Sequence, residues 1–115
     1  MKMYALTIAD DTVRVMQIVR DGISPSEVIS QWHPLVKARM GVKSFREVQK
    51  TDLPGGPKLR HAWVDNGTRV VLDIPKARIL RRKQLEADLG RKLTDPEIAT
   101  INSKFTEKDL EEVVV

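Results

Sequence analysis

The sequence predicts an α+β fold, and three observations carry that prediction. Residues Met3 to Ala9 alternate, with Tyr4, Leu6 and Ile8 on one side and Met3, Ala5 and Thr7 on the other, the period of a strand. Residues 61–72 hold two β-rich runs around Asn66-Gly67, the strongest short-range hairpin signal. And one pattern occurs three times: an apolar residue, Ser or Thr, and a carboxylate three residues later followed by a second apolar residue. Each copy reads as a capping box with a hydrophobic staple, which marks a helix start.

Taken in order, the first strand leads through the turn signal Asp10-Asp11 into Thr12–Val19, where Val13, Val15, Met16, Ile18 and Val19 favour a second strand pairing back as a hairpin. The first box, Ile23-Ser24-Pro25-Ser26-Glu27-Val28, starts a helix with Pro25 at its first position. Val28, Ile29, Trp32, Leu35 and Val36 fall within about 120° of one another and predict a buried stripe. Pro34 cannot donate to residue 30, so a break is expected near Trp32-His33, with a second short helix ending at Gly41. Residues 42–50 are ambiguous: Ser44-Phe45-Arg46-Glu47 suits a helix cap, but Val42, Phe45 and Val48 among charges suit an edge strand, the reading adopted. Residues 52–58, with Pro54-Gly55-Gly56-Pro57, read as a loop.

A two-residue turn at Asn66-Gly67 sets Trp63 opposite Val70, Ala62 opposite Val71 and His61 opposite Leu72, with His61 a half-buried strand residue. Asp73-Ile74-Pro75 then opens a long helix to about Leu89, stopped by Gly90. Its apolar pattern is untidy, since Arg78 and Arg81 share a face with Ile74, Leu85 and Leu89. Such a helix is expected to project from the body or to bury surface against a partner. The boxes Leu93-Thr94-Asp95-Pro96-Glu97-Ile98 and Phe105-Thr106-Glu107-Lys108-Asp109-Leu110 start two short helices, 95–104 and 107–113. The expected architecture is a small, mainly antiparallel sheet of two hairpins plus an edge strand, packed on one helix. A soft boundary near 75 separates a sheet-rich body (1–74) from a helical extension of the same domain (75–115).

Composition excludes several classes. The 115 residues are 41% hydrophobic and 31% charged, as in globular chains. No apolar run approaches the roughly 20 residues of a membrane helix, and the start is not expected to be a signal peptide. Without cysteine there is no disulfide and no thiolate metal site. His33 and His61 lie far apart in the sequence and suit no zinc site, which takes three or four clustered ligands. Gly55-Gly56 is followed by no Gly-Lys-Ser/Thr and is no phosphate loop. Asp10-Asp11 reads as a turn rather than an acid/base pair. No catalytic, cofactor or small-molecule site is evident, and the chain is expected not to be an enzyme.

Charge distribution supplies the one candidate site. Between 76 and 92 lie seven basic residues, Lys76, Arg78, Arg81, Arg82, Lys83, Arg91 and Lys92, against Glu86 and Asp88, a net +5. The last ten residues carry −3. A basic helix before an acidic tail suggests charge-mediated contact within the chain, between copies, or with a polyanion. No aromatic interleaves with the basic run, which weighs against single-strand nucleic-acid binding.

One resemblance adds a setting. Leu53-Pro54, Arg60-His61-Ala62-Trp63 and Asp73-Ile74-Pro75-Lys76-Ala77-Arg78 resemble a recurring series in small uncharacterised proteins of proteobacterial tailed phages and prophages, and Glu27-Val28-Ile29-Ser30-Gln31-Trp32 resembles their short helix. The similarity spans about residues 13–83, and residues 89–115 depart from it. It implies a non-enzymatic virion structural or tail-associated assembly protein, in host cytoplasm or virion, that binds other phage proteins or itself through the helix after Pro75. The alternative is a small phage-encoded nucleic-acid-binding or regulatory protein using helix 76–92. The resemblance implies no catalytic residues, since none are known for these proteins.

Overall fold

A computed structural model describes residues 1–56 and 58–115; the predicted loop 52–58 therefore includes one residue, Pro57, outside the described set. The fold is α+β. Strands β1 (Lys2–Thr7), β2 (Val13–Ile18) and β3 (Ser44–Val48) form an antiparallel sheet in the order β2-β1-β3. Within residues 42–50, Ser44–Val48 form the expected edge strand, paired Met3↔Val48 through Thr7↔Ser44, and Lys50 starts a 3-10 turn. Strands β4 (Trp63–Asp65) and β5 (Val70–Leu72) form a separate hairpin. The helices are α1 (Pro25–Ser30), α2 (Pro34–Met40), α3 (Ile74–Leu89), α4 (Asp95–Asn102) and α5 (Glu107–Glu112).

The caps form with unequal completeness. Ser24 accepts from the Glu27 amide and Thr106 from the Asp109 amide, each a one-way cap. Of the three predicted boxes, only Thr94 and Glu97 make the reciprocal pair, Glu97 taking the Thr94 amide at 2.9 Å. Asp73 caps α3 through the Lys76 amide, and Gly90 ends it at φ +67°, a left-handed conformation glycine adopts without strain. The break at Pro34 is present, with the His33 ring accepting from the Leu35 amide to cap α2.

Two sequence expectations need correction. The β4–β5 turn is displaced by one residue: Asn66 donates to the Arg69 carbonyl, and the central pair is Gly67-Thr68. Trp63 therefore faces Leu72 and Asp65 faces Val70, so the Trp63–Val70 pair does not form. The cause is side-chain chemistry. Asn66 Oδ1 accepts from both the Thr68 and Arg69 amides, and Asp65 Oδ1 takes the Gly67 amide, which places Gly67 (φ +94°) at the first central position. His61 accordingly leaves the strand; Arg60–Ala62 form one turn of 3-10 helix and His61 is exposed.

The α1–α2 pair lies over the Tyr4, Ile18 and Phe45 side of the sheet, sharing shallow crevices with those residues. Beneath it Leu6 and Ile18 are buried, but the predicted stripe is not. Val28, Ile29, Trp32 and Val36 are half-covered and Leu35 is 74% exposed. The break at Pro34 splits the stripe into two helices of six and seven residues, too short to keep one continuous face on the sheet.

The opposite sheet face carries Ala5, Val13 and Val48, which pack with Val70 and, at the margin, Met3, Leu53 and Trp63. A second and larger core gathers Leu59, Ala62, Ala77, Leu85, Leu93, Ile101, Leu110 and Val113. Leu59 and Ala62 precede the expected boundary at 75, so the rear core recruits residues from ahead of the hairpin. The hairpin joins the two cores, Val70 and Trp63 entering one and Leu72 the other. The result is elongated, 52 × 31 × 20 Å with a radius of gyration of 16.2 Å, against about 13 Å for a compact globule of this length.

Candidate functional site

The basic residues of 76–92 do not converge on one surface. Arg78 donates from Nε and a terminal nitrogen to the Lys104 carbonyl, at 3.0 and 2.8 Å, and its guanidinium lies 4.7 Å from the centre of the Phe105 ring. Arg81 donates to the carbonyls of Glu111 and Val113, both at 3.3 Å. These acceptors lie just beyond α4 and at the end of α5, where helix carbonyls lack intrahelical partners and cations are favoured. The two arginines that spoil the apolar stripe of α3 are therefore the groups that close the ends of α4 and α5 on it. The helix does not project as a free rod: α4 and α5 pack against it, with Ala77 and Leu85 buried, while Ile79, Lys83 and Leu89 remain exposed.

The remaining members scatter. Lys76 reaches the Asp10 carbonyl of the β1–β2 turn at 3.1 Å. Arg82 faces Glu86 at 3.5 Å. Arg91 forms a two-pronged pair with Glu97 at 2.9 and 3.1 Å. Lys83 and Lys92 are exposed. The Arg91 guanidinium, with the Thr94 amide, holds the Glu97 carboxyl down at about 2. The Leu93 amide, followed by Arg82, lowers Glu86.

A broad concavity lies at the opposite end, on the Met3 side of the three-stranded sheet. It is a groove of about 850 Å³ between that sheet face and the 59–63 segment. Register explains it. Met3, Val15, Gln17 and Val48 share a face, and the short β4–β5 hairpin covers only its Ala5 end. The floor is apolar (Met3, Val13, Val15, Val48, Leu53, Trp63), and the rim carries Lys2, Arg14, Lys50, Arg60 and His61 against a single acid, Glu47. Although the His61 ring is largely exposed, the desolvation it does undergo, then the charges of Arg14 and Arg60, push its imidazole below its ordinary value, with Asp10 acting the other way. Sequence reading missed this rim because its cations come from four separated segments and meet only through strand pairing.

His33 is committed to capping α2. Among the described residues no three His, Cys, Asp or Glu side chains cluster as metal ligands, and no helix is long and apolar enough to cross a membrane. The chain matches no protein-family model, no curated protein and no solved structure.

Proposed function

We propose that the chain is a non-enzymatic interaction protein of a phage or prophage, a virion structural or tail-associated assembly component acting through protein–protein contacts. The phage setting rests on the resemblance of the 53–78 series and of the Glu27–Trp32 helix. The mode of action rests on one observation: large apolar side chains stand in the open, Leu35, Phe45, Val15 and Val19 around the partly covered sheet in front and Ile79, Leu89, Phe105 and Val114 in the rear. Such surface marks interaction sites in soluble proteins. We assign the contact to the front half, where these residues surround one partly covered sheet, rather than to the helix after Pro75, whose Arg78 and Arg81 are engaged within the chain.

Size exclusion with multi-angle scattering, at two salt concentrations and with and without DNA, tests the reading. A defined oligomer, or a complex with a co-expressed neighbouring gene product, indifferent to DNA is the expected result. A monomer that binds DNA with steep salt dependence would overturn it in favour of a nucleic-acid-binding role.

A further inference from the structure

We propose that β2 and the groove beside it take up an extended acidic segment of a partner protein by strand addition; this rests on the protein–protein reading above and names its site. Both outer strands of the sheet are edges, but they differ. On β3, Arg46 and Glu47 break the run, with Lys43 just ahead of it, and Arg46 is clamped to Asp65 at 2.6 and 2.9 Å. Charges of this kind are how natural edges resist pairing. Residues Val13–Val19 carry one charge, Arg14, and no proline. Among the described residues, their only backbone hydrogen bonds outside the β1 pairing involve Arg14's own guanidinium, on the Val13 carbonyl at 3.2 Å. An unguarded edge with unpaired amides and carbonyls is a template for one more strand.

The groove fixes the chemistry of that strand. The groove lies over the Met3 side of the sheet and includes Val13, Val15 and Gln17 of β2, so side chains of an added segment that point to that side would extend the apolar floor beside Val15, while the alternating carboxylates would point to the other side, where pairing places Lys2 and Arg14. The rim's cationic excess disfavours a second copy presenting the same rim. Nucleic acid is the weaker fit: of the groove's two aromatic rings, Trp63 packs into the wall against the front core and His61 stands alone on the rim, which gives no row of platforms for successive bases.

The test uses the full chain and a fluorescein-labelled peptide of four Val-Glu repeats, read by anisotropy, with three comparison probes: the same peptide N-methylated on alternate residues, a Val-Lys repeat, and an eight-residue oligothymidylate. The expected result is saturable binding of the Val-Glu peptide that is at least tenfold weaker for the N-methylated and Val-Lys forms. Amide shifts should be confined to Val13–Val19 and absent from Ser44–Val48. The exposed variant Lys2→Glu should weaken the peptide at least tenfold with an unchanged unfolding midpoint, and Arg14→Gln serves as a second variant should that midpoint move. Equal binding of the N-methylated peptide, shifts on β3 instead, tighter binding of the oligothymidylate, or no binding at millimolar peptide each overturns the proposal. An oligomer that forms while the peptide does not bind would sink this site and leave the assembly reading standing.

Discussion

The two ends of the molecule solve the same problem differently. The rear closes a core with three helices although its central helix, α3, has no clean apolar stripe; the front has a well-patterned sheet and yet remains partly open. What separates them is where polar side chains go. In the rear, Arg78 and Arg81 pass over the helix seam and donate to the free carbonyls after α4 and α5, so charged residues help to close the core. In the front, the cations of Lys2, Arg14, Lys50 and Arg60 stand around a sheet face that no helix covers. A hydrophobic pattern alone would rank the two ends the other way. It misleads because it scores Arg as surface, whereas a long guanidinium beside a helix end satisfies acceptors that an apolar residue leaves orphaned.

The sharpest test of this contrast is a large-to-small change in the rear core. Leu110 is fully buried, and Leu110→Ala is expected to cost about 3–4 kcal/mol, read as a lowered urea midpoint. A loss under about 1 kcal/mol would mean that the rear is not a packed core. Arg81→Met comes next. It keeps much of the aliphatic stem and removes the bonds to the Glu111 and Val113 carbonyls, at an expected cost of about 1–2 kcal/mol. Its signature is regional: faster amide exchange in α5, with the sheet unchanged. If Arg81→Met is neutral in both readouts, the helix-end role fails and the cation returns to the surface.

Much of the rear was legible residue by residue. Asp73, Pro75 and Gly90 bound α3 as their types demand, and Thr94 with Glu97 makes the box its spacing implies. The seven basic residues were legible as a cluster but not as separate contacts, because helical spacing shows that Arg78 and Arg81 share a face without showing what they meet. Phe105 was expected to staple Leu110; it is 71% exposed and lies under Arg78 instead. At the front, strand existence was legible from alternation, but the β4–β5 register was not. The turn is decided by Asn66 Oδ1 bonding two amides, and the dipeptide Asn66-Gly67 permits either placement. The groove was hidden for a related reason: Lys2, Arg14, Lys50 and Arg60 are brought together by pairing between distant segments.

Within the rear, acid should act in two opposite directions. Glu97 sits at about 2 in the folded chain against 4.5 ordinarily, so its contribution is present above pH 4.5 and is lost as pH falls toward 2. Glu107 runs the other way: burial, partly offset by the Gly56 amide and reinforced by Glu111, raises it, so its contribution is present in acid and is lost as pH rises through its raised value. Urea midpoints between pH 2 and 6 should therefore fall less steeply on acidification in Glu97→Gln, with Glu86 and Asp65, both lowered, supplying the remaining slope. Glu107→Gln should gain relative stability on the neutral side. An unaltered profile in Glu97→Gln would show that its pair with Arg91 is as strong in the unfolded chain.

The smallest expected effect is the most telling for the front. Leu35 is 74% exposed on α2, although its spacing places it in a stripe with Trp32 and Val36. Its replacement by Ser should change the unfolding midpoint by no more than about 0.5 kcal/mol, as at other exposed positions. A loss near 3 kcal/mol would mean that α1–α2 closes over the sheet and that the front is as complete as the rear. Neutral stability combined with loss of the oligomer or complex is the outcome that separates an interaction surface from a residue merely left outside. Exposed leucines that stabilise nothing in their own chain contribute free energy only when another molecule removes them from water.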